Sequence, residues 1–147
     1  MTEASKPEDP SEMARIKEQG GRVEPIKNGR DEYVGPYRVW TDDIFEIGLP
    51  MSRSIGDYKT HEKGVTSAPQ VTDYLLVPGD EALVLATDGV FEYLSNEEVG
   101  DIVRKHLGDK NVEKAANEIV AKADERWRRE GAGCAQDDNT CIVVLFD

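Results

Sequence analysis

A continuous apolar run, Ala82–Ala86, constrains the fold of this chain more than any other part of the sequence. Five successive apolar residues suit a strand that is buried on both faces, and the run is short for a helix. Residues 71–77 before it mix β-branched and apolar side chains, and Pro78-Gly79-Asp80 has the composition of a tight turn. The pattern therefore predicts a β-hairpin whose second strand lies inside a sheet.

Two helices and a last strand are predicted after this run. Ser95 and Glu98 form a capping box for a helix that ends before Gly108, and Asn111 can cap the next helix. Apolar residues at helical spacing predict one buried stripe on that second helix. They are Val112, Ala115, Ala116, Ile119, Val120, Ala123 and Trp127. An apolar strand is predicted at 140–146.

The N-terminal third of the sequence is less regular. Asp9-Pro10-Ser11-Glu12 combines an N-cap, a proline at the first helical position and a returning carboxylate, which predicts a helix that stops at Gly20-Gly21. Residues 22–49 predict a long loop with short strands, and such loops are commonly functional, so this segment is a candidate flap beside a binding site. Strands and helices therefore mix in one unit of α+β character.

The charge of the chain limits its partners. Thirty acidic against eighteen basic residues give a formal net charge of −12, which opposes binding to nucleic acid and anionic lipid. No apolar run approaches the ~20 residues needed to cross a bilayer, and the first twelve residues lack the apolar core of a signal peptide. We expect no nucleic-acid or membrane partner, an intracellular, soluble protein of cytoplasm or nucleus, and reduced thiols at Cys134 and Cys141.

Acidic residues lie at the ends of the two apolar strands. Asp88 directly follows the first strand, where an unpaired buried carboxylate would be costly. Asp138-Asn139 precedes the second, so both motifs can lie at neighbouring strand ends of one sheet. Mg²⁺ and Mn²⁺ prefer such oxygen ligands. The residues alone leave another interpretation open, because Asp-Gly is a frequent turn and Asp-Asp-Asn can cap a loop.

Six short motifs follow one another along nearly the whole chain. They are Lys6-Pro7, Arg15-Ile16, Gly20-Gly21, Ser52-Arg53-Ser54-Ile55-Gly56-Asp57, Ala86-Thr87-Asp88-Gly89-Val90-Phe91-Glu92 and Asp138-Asn139. In this order they resemble the metal-dependent type 2C (PPM) protein phosphatases. The resemblance implies part of the PPM phosphatase β-sandwich flanked by helices, with the N-terminal strands of the full domain missing. Residues 1–147 would form the C-terminal portion of the phosphatase domain, and 22–49 its flap region.

The resemblance also implies a chemistry, the hydrolysis of phosphoserine and phosphothreonine in proteins with Mg or Mn in a binuclear site. Asp88 and Asp138 match the family's metal-ligand aspartates. Glu92 and Asn139 are candidates for a further metal contact or for support of the ligands. No catalytic side chain is identified in this chain, because the family uses a water held by the metals.

Other polar residues receive weaker assignments. Arg53 is a candidate for phosphate contact or for a structural ion pair, and Asp57 for pairing with an arginine in support of the sheet. The family's aspartate for a third metal is replaced by Ala4, so a third ion is in question. His61 and His106 match no catalytic position and are expected in surface roles.

The family's Asp-Gly-His-Gly-Gly motif, whose aspartate bridges the metals, does not occur in these 147 residues. Half of the metal ligands would then be absent, and we expect the chain alone to be nearly inactive. Its partners would be phosphoprotein substrates and the missing N-terminal half of the domain, with dimerisation or strand exchange at an exposed sheet edge. The alternatives are a non-catalytic pseudophosphatase-like interaction module and a small acidic cation-binding protein of another fold.

Overall fold

The computed structural model describes residues 2–41, 48–131 and 136–146. The chain divides into two compact units, Met1–Tyr74 and Leu75–Asp147. Each unit combines helices with a two-stranded antiparallel sheet, which confirms the predicted α+β class. Among the described residues, no helix combines the length and apolarity that a membrane span requires.

The first unit opens with helix α1, Pro10–Glu18. Proline occupies its first turn as predicted, and Gly20 follows the helix with φ of 75°, a left-handed conformation that suits glycine. The predicted capping role of Glu12 is wrong. Its side chain turns away from the helix start and is buried, with 1% exposed, because two arginines and a serine surround the carboxylate.

A β-hairpin occupies much of the predicted loop. Strands β1, Arg22–Lys27, and β2, Tyr33–Trp40, pair antiparallel with a bulge between Glu24 and Ile26. Pro25 lies at that bulge, where its missing N–H is tolerated. Prolines and glycine within both strands weaken the sequence signal, which is why only short strands were expected. Residues 42–47 of the predicted flap lie outside the described part of the chain.

The remainder of the first unit is packed around a small core. Short helix α2, Tyr58–His61, follows the Ser52–Asp57 motif. The buried apolar side chains are Ile16, Val39 and Val65, with Val23 and Leu49 packed against them. Helix α1 and the hairpin are therefore held together by the same cluster.

The second unit contains strands β3, Ala82–Ala86, and β4, Cys141–Leu145, which pair antiparallel in unbroken register. Between them lie helices α3, Asp88–Phe91, α4, Asn96–Leu107, and α5, Val112–Glu130. The predicted hairpin of 71–77 with 82–86 is wrong, since 71–77 forms no strand and β3 pairs with the distant β4.

The turn at 77–80 was nevertheless predicted correctly. The Val77 N–H donates to the Asp80 carboxylate at 2.8 Å, and the Asp80 N–H donates back to the Val77 carbonyl at 3.0 Å. Turn chemistry is local, whereas the choice of a strand partner depends on residues far along the chain.

Helix capping in the second unit follows the sequence prediction. The Ser95 hydroxyl accepts from the Glu98 N–H at 3.2 Å, and the Glu98 carboxylate accepts from the Ser95 N–H at 3.1 Å. The Asn111 side chain accepts from the Lys114 N–H at 3.0 Å. The buried stripe of α5 is present as Ala115, Ile119 and Ala123.

The β3–β4 sheet is buried on one face only. That face packs against α4 and α5 through Val84, Val143 and their neighbours. On the opposite face Leu85, Ile142 and Val144 are 52%, 54% and 40% exposed. Burial of β3 on both faces is therefore not seen among the described residues, because the helices cover a single side.

Candidate metal centre

The two acidic motifs meet at one end of the β3–β4 sheet. Asp88 lies two residues after β3, and Asp138 lies three residues before β4. Thr87 joins the two segments, since its hydroxyl donates to the Asp138 carbonyl at 2.8 Å and accepts from the Thr140 N–H at 3.0 Å. The Thr87 N–H also donates to the Thr140 carbonyl at 3.0 Å. The sequence predicted this juxtaposition, although not the residue that secures it.

Asp88 and Asp138 are both open to solvent at this end of the sheet. Asp88 begins α3, and its carboxylate accepts the adjacent Gly89 N–H at 3.1 Å. Within residues 2–41, 48–131 and 136–146 neither carboxylate forms an ion pair. Two unneutralised carboxylates at one sheet end suit Mg²⁺ or Mn²⁺. No group of three metal-binding side chains gathers in those ranges.

Gly89 allows the two motifs to come close together. It is buried, and a Cβ atom on it would lie 2.7 Å from Asn139 Oδ1 and 2.8 Å from the Asp138 carbonyl oxygen. Both distances are below those that carbon and oxygen atoms tolerate. The glycine is therefore required by the contact between loops and not by its own backbone angles.

Gly89→Ala should destabilise the second unit by about 2 kcal/mol, because the added methyl group pushes against backbone that cannot rotate away. Urea unfolding measures the effect. Gly100→Ala in α4 is the matched control, since its Cβ would meet only the mobile end of Arg104 at 3.3 Å. Alanine within a helix should stabilise by about 0.5–1 kcal/mol there. Equal stability of the two variants would contradict the close approach.

Glu92 and Asn139 have different surroundings. Glu92 is exposed and follows α3, and its N–H donates to the Asp88 carbonyl at 2.8 Å, which places it one helical turn after Asp88. The Asn139 amide nitrogen donates to Asp124 at 2.5 Å. Its amide oxygen is buried against Gly89 and has no hydrogen-bond partner among the described residues. Asn139 therefore links elements of the protein, whereas Glu92 faces solvent.

Sequence reasoning did not identify two residues of α5 that contact these motifs. Asp124 accepts from the side chains of Asn139 and Gln136 at 2.5 and 2.9 Å. The Trp127 indole N–H donates to the Gly89 carbonyl at 2.7 Å. Trp127 belongs to the predicted apolar stripe, and Asp124 is not among the predicted site residues. Their three-residue spacing on one helix is the sequence signal that could have indicated a shared role.

Arg53 and Asp57 lie in the first unit, where Arg53 is used structurally. Its guanidinium donates to both carboxylate oxygens of Glu12, at 2.6 and 3.0 Å, and to the Ala68 carbonyl at 2.7 Å. In the part of the chain that the structure describes, the predicted pairing of Asp57 with an arginine is not formed. Asp57 is exposed at the start of α2 with φ of 47°, and Glu12 takes the arginine instead.

Glu12 is the main buried charge of the first unit. Besides the two bonds from Arg53, it accepts from Arg15 at 2.8 Å and from the Ser52 hydroxyl at 2.6 Å. The hydrogen bonds from Arg15 and Arg53 hold the pKa of this carboxyl well below its ordinary range. The same arginine side chains bond the carbonyls of Ser52, Gly64 and Ala68, so one carboxylate organises several loop segments.

The remaining candidates make ordinary contacts. His61 lies 3.1 Å from the Ser54 carbonyl, and His106 lies 2.8 Å from a Glu118 carboxylate oxygen, which accords with structural roles. Burial raises the pKa of the Cys141 thiol. Cys134 lies outside the described residues.

Comparison with known proteins gives one consistent family. Residues 1–130 match the family model of protein phosphatase 2C. The chain is 42% identical over 146 residues to probable protein phosphatase 2C 48 of Oryza sativa subsp. japonica, and 36% identical over 141 residues to probable protein phosphatase 2C 41 of Arabidopsis thaliana. These alignments cover 99% and 96% of the chain but 39% and 38% of the relatives. The chain thus spans about two fifths of their length.

Solved structures show the same fold. A serine-threonine phosphatase 2C from Toxoplasma gondii superposes with a TM-score of 0.82 at 22% identity, covering 100% of this chain and 46% of that one. A sex determining protein of C. elegans gives a TM-score of 0.71 at 23% identity, covering 99% and 31%. Both similarities concern the fold of the chain.

Proposed function

The chain belongs to the protein phosphatase 2C family, and from this premise we propose that it forms the C-terminal part of a metal-dependent serine/threonine phosphatase domain. The pairing of β3 with β4 carries the proposal, because it brings Asp88 and Asp138 to one sheet end. In this proposal the complete domain hydrolyses phosphoserine and phosphothreonine in protein substrates, and residues 22–49 belong to its flap region.

Asp88 and Asp138 would hold one Mg²⁺ or Mn²⁺ ion, with Glu92 available for a further contact through water. When bound, such ions would neutralise phosphate charge and activate a water toward phosphorus. The other residues of this chain would position the loops that carry Asp88 and Asp138. Thr87 fixes the two loops by three hydrogen bonds, and Gly89 leaves room for their approach.

The remaining ligands and the phosphate-binding group would come from the rest of the domain. The exposed apolar face formed by Leu85, Ile142 and Val144 supports this proposal, because a sheet with apolar residues on both faces suits a sandwich. Dimerisation or strand exchange at an exposed sheet edge stays a prediction from the sequence.

The 147-residue chain alone should turn over a phosphopeptide at least about 100-fold more slowly than a complete domain, since misplaced or missing groups cost that much or more. The comparison is a hybrid phosphatase, in which these residues replace the matched segment of the rice relative. Both proteins are assayed with Mn²⁺. Turnover by the chain alone that disappears in Asp88→Asn would contradict the proposal, whereas turnover that persists in this variant comes from a contaminant.

A non-catalytic interaction module is the second candidate. The β1–β2 hairpin favours it, because Ile26, Tyr33, Val34 and Tyr37 are 39–55% exposed and offer an apolar, aromatic surface. An inactive but folded hybrid would favour this candidate. A hybrid whose activity depends on Asp88 would favour the enzyme.

A further inference from the structure

One face of α5 contacts both loops of the candidate metal centre. Asp124 binds the loop before β4 through the Asn139 and Gln136 side chains, at 2.5 and 2.9 Å. Trp127, one helical turn later, binds the start of α3 through the Gly89 carbonyl at 2.7 Å. The two loops are thus attached to a single helix at neighbouring positions.

We propose that Asp124 and Trp127 are positioning residues that set the separation of Asp88 and Asp138, and thereby the metal affinity of the site. The inference rests on the proposed function, since it assigns these residues a part in that same site. Neither side chain contacts the ligand carboxylates themselves. Each acts through the backbone or side chain of an adjacent residue.

The contacts form a closed ring. Asp124 holds the amide nitrogen of Asn139, and the amide oxygen of Asn139 lies against Gly89. The Gly89 carbonyl is held by Trp127, and the helix returns from Trp127 to Asp124. Separation of any two members of the ring requires at least two of its contacts to break, whereas a pair joined by one contact separates when that contact is lost.

The ring is attached to a rigid element. Ala115, Ile119 and Ala123 of α5 are buried in the core of the second unit. Sites that are built on packed helices hold their geometry more closely than sites on loops. Hydrogen bonds to carboxylate acceptors are about twice as strong as those between neutral groups.

Trp127 is itself held in place. Its ring packs edge-on against Tyr93 with centroids 4.6 Å apart. Arg126 donates to the Tyr93 carbonyl at 3.2 Å and pairs with Glu98 of the α4 capping box at 2.6 Å. The residues after α3 are therefore tied to α5 independently of the Gly89 bond, so the indole N–H can be tested without loss of the packing.

Asp124→Ala in the hybrid phosphatase should raise the Mn²⁺ concentration for half-maximal activity by about 10-fold or more, the usual cost of removing a residue that orients a metal ligand. The KM for the phosphopeptide should change little. Trp127→Phe keeps the ring on Tyr93, removes the N–H, and should give a smaller shift in the same direction. Glu118→Ala is the matched control, because this α5 acid contacts Lys105 and His106 instead of the loops.

Amide hydrogen exchange in the 147-residue chain gives a readout that needs no metal. Asp124→Ala should speed exchange at residues 136–140 by about 10-fold, and Trp127→Phe should speed it at 87–90. Unchanged exchange in Asp124→Ala and Trp127→Phe, or equal acceleration by Glu118→Ala, would overturn the inference. An unchanged Mn²⁺ requirement of these variants in an active hybrid would overturn it as well. A hybrid without Mn²⁺-dependent activity would instead count against the proposed function, and the exchange result would still decide on the positioning role.

Discussion

Asp88→Asn or Asp138→Asn in the hybrid phosphatase should lower Mn²⁺-dependent turnover of a phosphopeptide by about 1000-fold. Asparagine has nearly the shape of aspartate but no charge, so it should preserve the loops while weakening the bond to a divalent cation. Loss of a correctly held metal removes several kcal/mol of transition-state stabilisation, and about 4 kcal/mol corresponds to this rate factor. Steady-state assays across Mn²⁺ concentrations measure the effect.

Asp137→Asn is the matched control for this experiment. Asp137 is an exposed acid in the same loop, and its Oδ1 accepts the Asp138 N–H at 2.8 Å. Asparagine keeps an oxygen acceptor there and removes the same unit of charge. We expect turnover close to that of the unmodified hybrid. Similar losses of turnover in all three variants would show that turnover depends on the total negative charge of these loops. That result would refute specific roles for Asp88 and Asp138.

Glu12→Ala should reduce the free energy of unfolding of the first unit by about 3 kcal/mol. The variant removes a carboxylate that is 1% exposed and leaves Arg15 and Arg53 without their common partner. Breaking a buried ion pair costs about 3–5 kcal/mol, and the lower value applies because these arginine side chains are 28% and 22% exposed. Urea unfolding followed by tryptophan fluorescence measures the loss, with Glu18→Ala on the exposed side of α1 as control.

The stabilisation that Glu12 gives the folded chain should decrease as the pH falls. The pKa of this carboxyl is lowered in the folded state, so its stabilisation is complete above the ordinary glutamate pKa of about 4.3. Below that pH the unfolded chain binds a proton that the folded chain does not, and stability falls toward the lowered pKa. The difference between the unmodified chain and Glu12→Ala should therefore shrink from pH 7 to pH 3. A difference that does not vary with pH would contradict the ion-pair account.

Local signals in the sequence predicted much of the second unit. Capping by Ser95 and Asn111 depends on residues three positions apart, and the stripe of α5 follows from helical spacing. These features need no knowledge of distant segments. Asp88 and Asp138 were also expected at neighbouring strand ends, because each lies beside an apolar strand of one predicted sheet.

Long-range choices were not predictable in the same way. The pairing of β3 with β4 joins residues more than fifty positions apart, and the nearer segment 71–77 has an equally strand-like composition. Glu12 fits a capping box by its position, and its burial depends on Ser52 and Arg53, which belong to another segment of the chain, as well as on Arg15. The roles of Asp124 and Trp127 likewise depend on which loops α5 happens to contact.

Direct binding of Mn²⁺ to the metal-free hybrid phosphatase tests the central claim most closely, because it measures the ligands without relying on turnover. Electron paramagnetic resonance of unbound Mn²⁺ during a titration gives the affinity and the number of ions. We predict that Asp88→Asn and Asp138→Asn each weaken binding of at least one ion by about 100-fold, while Asp137→Asn binds as the unmodified hybrid does. Equal affinity and stoichiometry in all four proteins would contradict the assignment of Asp88 and Asp138 as metal ligands.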